Sequence, residues 1–357
     1  MAGKAKSASI ARRKDEHLSL VLSEEAVHSG STLLECVRPV HCALPEMDMA
    51  DIDTSVEFFG RRITLPLMIS GMTGGTKEAG SVNRSLARVA ARTGVPLGLG
   101  SQRIMLRNPE TTESFRVRDE IGDGVLLGNI GGAELCEYDT DVIVGLVNSI
   151  EADGMAVHLN PAQEIIQPEG ARVFTGVLEG IRRLVDRLEG RVVVKETGAG
   201  LSPWVVKNLA RAGVMCVDVS GAGGTSFTRV EMLRGENPEH FGRALADWGI
   251  PTAAAVAGAR KAGGDGMTVI GSGGITNGAE IATAIMLGAS LVGIARAVYA
   301  ALRTEGEDGA ESFINRIADQ LRAVMLLTAS SDVPSLSKAQ RVVTGELKDW
   351  LLQMEVV

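Results

Sequence analysis

Gly154-Met155-Ala156-Val157-His158-Leu159-Asn160-Pro161-Ala162-Gln163-Glu164 changes character half-way along. Its first four residues read as a short buried strand. The rest places an imidazole, two amides and a carboxylate within seven residues, with Pro161 ending the strand and stiffening the turn. In an α/β chain, polar groups released past a strand's C-terminal end are where ligands bind. Glu164 is a hard oxygen ligand suited to Mg2+. His158 and Asn160 are donors suited to an anion, and Gln163 both donates and accepts. The plainer alternative is a polar loop with a structural histidine.

The same pattern recurs outward from this stretch. Short apolar runs ending in Gly or polar residues lie at 65–71, 95–101, 125–131, 155–160, 192–197, 215–221, 267–274 and 291–297. Helical patterns lie between them at 78–93, 109–121, 140–152, 175–189, 203–212, 251–262 and 277–288, with a last long helix over 309–329. Eight strands, each followed by a helix, predict a closed (β/α)8 barrel, with polar loops ringing one pocket. An open doubly wound sheet is the rival, but it has fewer strands and one switch point. A short helix is expected over 15–28 and irregular chain over 29–62. The domain reading is an N-terminal extension, 1–62, over the barrel mouth, the barrel at 63–330, and a helical tail at 331–357. The longer segment 227–249 is either a lid or a surface excursion.

Composition supports this and excludes other classes. The chain has 357 residues, 45% hydrophobic and 3% aromatic, with 43 glycines, as suits a parallel sheet with Gly-rich loops. Few rings and a net charge of −8 give no platform for nucleic acid. Cys36, Cys42, Cys136 and Cys216 form no CxxC pair, so reduced thiols and a cytoplasmic location are expected. No apolar run reaches the roughly 18 residues of a membrane span. Residues 1–14 are basic and acid-free like a transit peptide, but Arg12-Arg13-Lys14 runs straight into Asp15-Glu16-His17-Leu18.

The other strand ends carry chemistry of their own. Ser70-Gly71-Met72-Thr73-Gly74-Gly75 permits close approach to a flat ligand, and its Thr supplies a hydroxyl. Gly100-Ser101-Gln102-Arg103 brings a fixed charge, either forking onto a phosphate or salt-bridged at the rim. Asn129, in Gly128-Asn129-Ile130-Gly131-Gly132, is an amide placed to bond a ring edge. Lys195 interrupts the apolar run Val192-Val193-Val194. It reads as a Schiff-base nucleophile, as a cation facing an electron-rich cofactor, or as a side chain snorkelling outward. Asp218-Val219-Ser220-Gly221-Ala222-Gly223-Gly224-Thr225 ends the sixth run. Gly273-Gly274 with Ala295-Arg296 fall on the seventh and eighth, where barrels often build a phosphate site from backbone N–H groups. A phosphate end, a lysine and ring-facing amides suit flavin mononucleotide, FMN, and no GxGxxG marks a dinucleotide site. Arg13-Lys14 is either added positive charge over the mouth or a basic tail.

Taken in order, these motifs resemble the type 2 isopentenyl-diphosphate isomerases. The matching pieces are Arg13-Lys14-Asp15-Glu16-His17, Met72-Thr73-Gly74-Gly75, Gly100-Ser101-x-Arg103, Asn129-Ile130-Gly131 and His158-x-Asn160-x-x-Gln163-Glu164. Val194-Lys195-Glu196, Gly221-x-Gly223-Gly224-Thr225, Ser272-Gly273-Gly274 and Ala295-Arg296 complete them. Thr197, where an apolar residue is expected, and Gly128, where Ala is common, depart from the pattern. The resemblance implies interconversion of isopentenyl and dimethylallyl diphosphate in isoprenoid biosynthesis, with FMN, Mg2+ and NADPH or NADH as reductant. By position it implies that Arg13, Lys14, Ser101, Arg103, His158, Asn160 and Gln163 bind substrate, mainly its diphosphate, and that Glu164 holds Mg2+. It assigns FMN contacts to Gly71, Met72, Thr73, Ser101, Asn129, Lys195, Thr225, Gly273, Gly274, Ala295 and Arg296. It also implies a homo-tetramer or homo-octamer.

Moving a double bond adds one proton and removes another without net oxidation. The acid/base function then falls to reduced FMN, with Lys195 at one ring edge and Gln163 orienting or relaying a proton; an amide alone does not titrate near neutrality. Two rivals share the scaffold: a flavin oxidoreductase, such as a 2-hydroxy acid oxidase or glutamate synthase-like domain, and a non-catalytic flavin or phosphate sensor. Only the isomerase needs reductant to start yet consumes none stoichiometrically.

Overall fold

The computed structural model describes residues 18–168, 170–235 and 242–356. Eight parallel strands close on themselves: β1 Leu67–Ile69, β2 Leu97–Gly98, β3 Leu126–Gly131, β4 Gly154–Leu159, β5 Val192–Glu196, β6 Cys216–Asp218, β7 Thr268–Ser272 and β8 Leu291–Ile294. Each pairs with its sequence neighbours, and β8 pairs with β1 through Val292↔Leu67 to complete the ring. This is the (β/α)8 barrel expected from the run-and-helix alternation.

The two-residue period of a strand sorts the side chains. Leu67, Ile69, Met155, Val157, Val192, Val194, Val217, Val269 and Val292 face outward into the main core, under the helices. Met68, Leu127, Ala156, Val193, Cys216, Ile270 and Leu291 form a second cluster, the apolar lumen. One inward step further toward the strand ends, the same rows carry Ser70, Asn129, His158, Lys195, Asp218 and Ser272.

The N-terminal segment works at both ends of the barrel. A hairpin of Val56–Phe58 and Arg61–Ile63 packs Phe58 and Ile63 into the apolar lumen and plugs the end where the strands begin. Residues 18–36 lie at the opposite end, where Leu18, Val21, Leu22, Glu24 and Val27 line the mouth. The helix expected over 15–28 is only partly among the described residues, and from Leu18 onward it is not continuous. Residues 18–20 are helical and Glu24–Ala26 is a 3-10 turn. Long-range bonds replace the helical ladder: His28 N donates to Gly224 O at 2.8 Å, and Ala26 O accepts from Ser226 N at 2.8 Å.

Other elements shift for local reasons. Residues 29–62 are not wholly irregular, because Val37–Pro39 pairs with Arg341–Val343. Three-residue strands are too short to show a period. The helix expected over 109–121 is a 3-10 run, Pro109–Ser114, followed by a single turn, Arg118–Ile121. Ser114 Oγ there donates to Thr111 O at 2.7 Å and accepts from Gly75 N at 2.7 Å, serving the first loop instead of the helix. The last barrel helix starts at Arg296, not 309, and runs to Leu327 with a break at Gly306 (φ 72°). Pro161 opens the helix Pro161–Ile166, so the polar cluster after β4 is a helix N-terminus.

Phe115 is fully buried, and its ring fills the space a side chain at Gly74 would need. Phe115→Ala is expected to lower stability by about 3–5 kcal/mol, measured by urea unfolding, through the cavity left under the first loop.

Candidate active site

The strand ends open into a cavity of about 700 Å3 that takes residues from all eight strand-end loops and the N-terminal strap. Its size and mixed lining are those of a cofactor-plus-substrate pocket. Every candidate residue outside the N-terminal 17 lines it: Gly71, Met72, Thr73, Ser101, Arg103 and Asn129; His158, Asn160, Gln163, Glu164 and Lys195; and Thr225, Gly273, Gly274, Ala295 and Arg296. Arg13 and Lys14 lie outside the described residues.

One wall is a backbone cradle. Gly273 (φ 106°) and Gly274 (φ 76°) hold left-handed conformations that an L side chain rarely adopts. A Cβ at Gly274 would also stand 2.6 Å from Gly223 O, so the β6 and β7 loops touch backbone to backbone. Thr252 Oγ1 donates to Gly273 O at 2.6 Å and locks the turn. Across the cavity, Asn83 Nδ2 donates to Thr73 O at 3.3 Å, and Gln102 Oε1 accepts from Asn129 N at 3.0 Å. Ser70 Oγ and Thr73 Oγ1 are buried with no protein partner. A buried hydroxyl without a partner is costly, so both call for a polar ligand atom.

The Arg296 guanidinium does not face the cradle. It donates to Val21 O at 2.9 Å and Leu22 O at 3.3 Å, and meets Glu24 Oε1 at 2.7 Å. The Arg296 side chain ties the strap to the mouth, which leaves only its backbone N–H for other use.

The other wall is charged. Arg103 Nη1 meets Glu134 Oε1 at 3.1 Å and Glu164 Oε1 at 3.9 Å, the salt-bridged arrangement of the two expected, in a side chain that also lines the cavity. Burial pushes the Glu134 carboxyl above the usual range, while Arg103 pulls it back. Asn160 Nδ2 donates to Gln163 Oε1 and Glu164 Oε1, both at 3.1 Å. Gln163 Nε2 donates to the buried Glu231 Oε1 at 2.8 Å, and Arg234 Nη1 meets Glu231 Oε2 at 2.6 Å. The Gln163 amide is therefore held at both ends. His158 Nδ1–H donates to Asn129 Oδ1 at 2.8 Å, which fixes its tautomer. Lys195 Nζ donates to Glu196 O at 2.6 Å and stands 3.9 Å from Asp218 Oδ2, so it is an inward cation and not a snorkelling side chain.

The sequence assigns no site role to Ser70, Glu134, Asp218 or Ser272, and reads Glu231 only as part of the 227–249 excursion. Ser70, Asp218 and Ser272 had a signal, a polar residue at the inward parity of a strand end. Glu134 and Glu231 had none, since their partners are 31 and 68 residues away. Among the described residues, no three His, Cys, Asp or Glu side chains are grouped as metal ligands. No helix there is long and apolar enough to cross a membrane.

Residues 160–343 match the FMN-dependent dehydrogenase family. An isopentenyl-diphosphate delta-isomerase of Pyrococcus abyssi is 41% identical over 351 residues, covering 96% of this chain and 94% of that protein. That of Metallosphaera sedula is 42% identical over 351 residues, covering 96% and 95%. The chain belongs to the type 2 isopentenyl-diphosphate delta-isomerase family. Solved structures add the fold alone. A Pediococcus acidilactici lactate oxidase matches with a TM-score of 0.68 at 15% identity, covering 95% of this chain and 94% of that one. A mandelate oxidase variant carrying an FMN adduct matches at 0.63 and 21%, covering 90% and 95%.

Glu196 is buried beside the site, with Oε2 accepting from Thr197 N at 2.6 Å and Gly198 N at 2.7 Å. Burial nevertheless raises its pKa from 4.5 to about 7. The folded state then keeps a proton that the unfolded chain releases, so the contribution of Glu196 to stability is greatest below pH 4.5, falls as pH rises to about 7, and is flat above. Glu196→Gln is expected to remove this slope, worth roughly 3 kcal/mol at most, in urea unfolding compared between pH 4.5 and 8.

Proposed function

We propose that this chain interconverts isopentenyl and dimethylallyl diphosphate using reduced FMN and Mg2+. One observation carries the reading. A single cavity joins a glycine cradle with unpartnered hydroxyls to a wall of paired cations, amides and carboxylates. The first suits a flavin phosphate and ring; the second suits a diphosphate with its metal.

The residues fit FMN. Backbone N–H groups of Gly273, Gly274, Ala295 and Arg296 would take its phosphate. Ser70, Thr73 and Asn129 would bond polar ring atoms, and Lys195 would offset charge on the ring. The Asp218 contact at 3.9 Å supports the cation reading of Lys195 over a free amine nucleophile. Mg2+ fits as an ion that keeps waters and takes diphosphate oxygens, because Glu164 stands among donors and not among further ligands.

Reduced FMN, when bound, supplies the acid/base chemistry; NADPH or NADH supplies its electrons. Mg2+, when bound at Glu164, offsets diphosphate charge. The protein does the rest. Arg103, His158, Asn160 and Ser101 grip the diphosphate, joined by Arg13 and Lys14 from the N terminus. Glu231 holds the Gln163 amide so that it orients the alkene or relays a proton. Leu18, Val21, Leu22, Ile104 and Phe227 keep water from the reacting carbons. Of the segment 227–249, residues 236–241 lie outside the described residues; its helix Phe227–Leu233 covers the charged wall through Glu231. We also propose that the protein works in the cytoplasm as a homo-tetramer or homo-octamer.

With FMN saturating, Gln163→Ala and Lys195→Ala are each expected to lower isomerisation by about 100-fold or more. Wild-type rates in both variants would overturn these roles. Product formed per NADPH consumed is expected to far exceed one; a one-to-one ratio would point to an oxidoreductase.

A further inference from the structure

Beneath the cavity floor lies a carboxylate that the reaction does not touch. Asp218 is 1% exposed, on β6, and is not among the residues lining the cavity. In the barrel register it stands directly across from Lys195, which stands across from His158. Ser272, on β7, donates its hydroxyl hydrogen to Asp218 Oδ1. Three strands thus contribute serine, carboxylate and ammonium in a row that ends at the cavity. The group behind Asp218 in the inward row is the buried Cys216 thiol, whose pKa burial pushes up, so it brings no charge.

Stability does not account for this row. Withdrawing an ion pair from water costs about as much as the attraction returns, and apolar residues of similar volume commonly serve as well. The layer directly beneath, Met68, Leu127, Ala156, Val193 and Ile270, is apolar. Burial pushes the Asp218 carboxyl up, while Lys195 and Ser272 pull it back toward the ionised form. Where Lys195 and Ser272 hold it ionised against that burial, the carboxylate orients the ammonium and cancels part of its field, at a depth where water screens little.

We propose that Asp218, anchored by Ser272, is a positioning residue that fixes Lys195 and tempers its charge, and so sets how readily a flavin held above Lys195 accepts electrons. This rests on the FMN reading of the cavity. Without the anion, Lys195 would favour the electron-rich flavin more strongly. With it, the bound flavin is less avid for electrons and Lys195 keeps one orientation.

The test is the midpoint potential of bound FMN, measured by dye-coupled reduction of the FMN-loaded protein. Asp218→Asn keeps the shape and one acceptor oxygen but removes the charge. It is expected to favour reduced over oxidised FMN by about tenfold or more, a positive shift of about 30 mV or more for a two-electron couple. Asp218→Ser, smaller and also neutral, carries the same expectation if Asn is not tolerated. Lys195→Met is expected to shift the potential the other way. An FMN-bound Asp218→Asn or Asp218→Ser protein with the wild-type potential overturns the inference, even if its melting temperature falls. A wild-type chain that takes up no FMN overturns both this inference and the reading it rests on. A positive shift in a chain that binds FMN but does not isomerise keeps the role of Asp218 and removes the isomerase.

Discussion

The alternation of side chains along a closed parallel strand governs this molecule. Because the period is two residues, an inward position stays inward two residues later. The barrel uses that rule to stack two layers on one set of rows. Met68, Leu127, Ala156, Val193, Cys216 and Ile270 pack the lumen. Ser70, Asn129, His158, Lys195, Asp218 and Ser272 follow them on the same strands, at the cavity end. A one-residue slip in any strand would bury an aliphatic side chain in the pocket and press a polar one against the helices.

Loops complete what the rows begin. Carboxylates on distant elements hold the polar side chains, as Glu134 holds Arg103 and Glu231 holds Gln163. The strap is tied to the mouth by a side chain whose backbone lies in the cradle, since Arg296 binds the carbonyls of Val21 and Leu22. Arg296 therefore joins the cradle and the cover, alongside the bonds of His28 N to Gly224 O and Ser226 N to Ala26 O. Oxidases of low identity share the scaffold, so the barrel alone does not separate this chain from them.

Much of this was legible in the residue order. Buried parallel strands are short apolar runs closed by glycine, and all eight runs contain a strand. His158, Asn160, Gln163 and Glu164 read as a site because four polar groups follow one strand. The hairpin at Val56–Ile63 did not read as structure, because three-residue strands carry no period and its burial comes from the barrel above it. The helix expected over 15–28 gave way to contacts with residues 224, 226 and 296, distant in sequence. Glu134 and Glu231 look like ordinary surface acids until folding brings their amide and guanidinium partners to them. Asp218 was visible as a polar residue at the end of a buried run, but its pairing with Lys195 follows only from strand register.

The hairpin plug has a consequence for traffic. With Phe58 and Ile63 seated among the lumen side chains, the described chain is closed at the end where the strands start, and visitors use the strap side. With a single open end among the described residues, whatever enters past the strap leaves by the same route, so one short segment governs traffic in both directions.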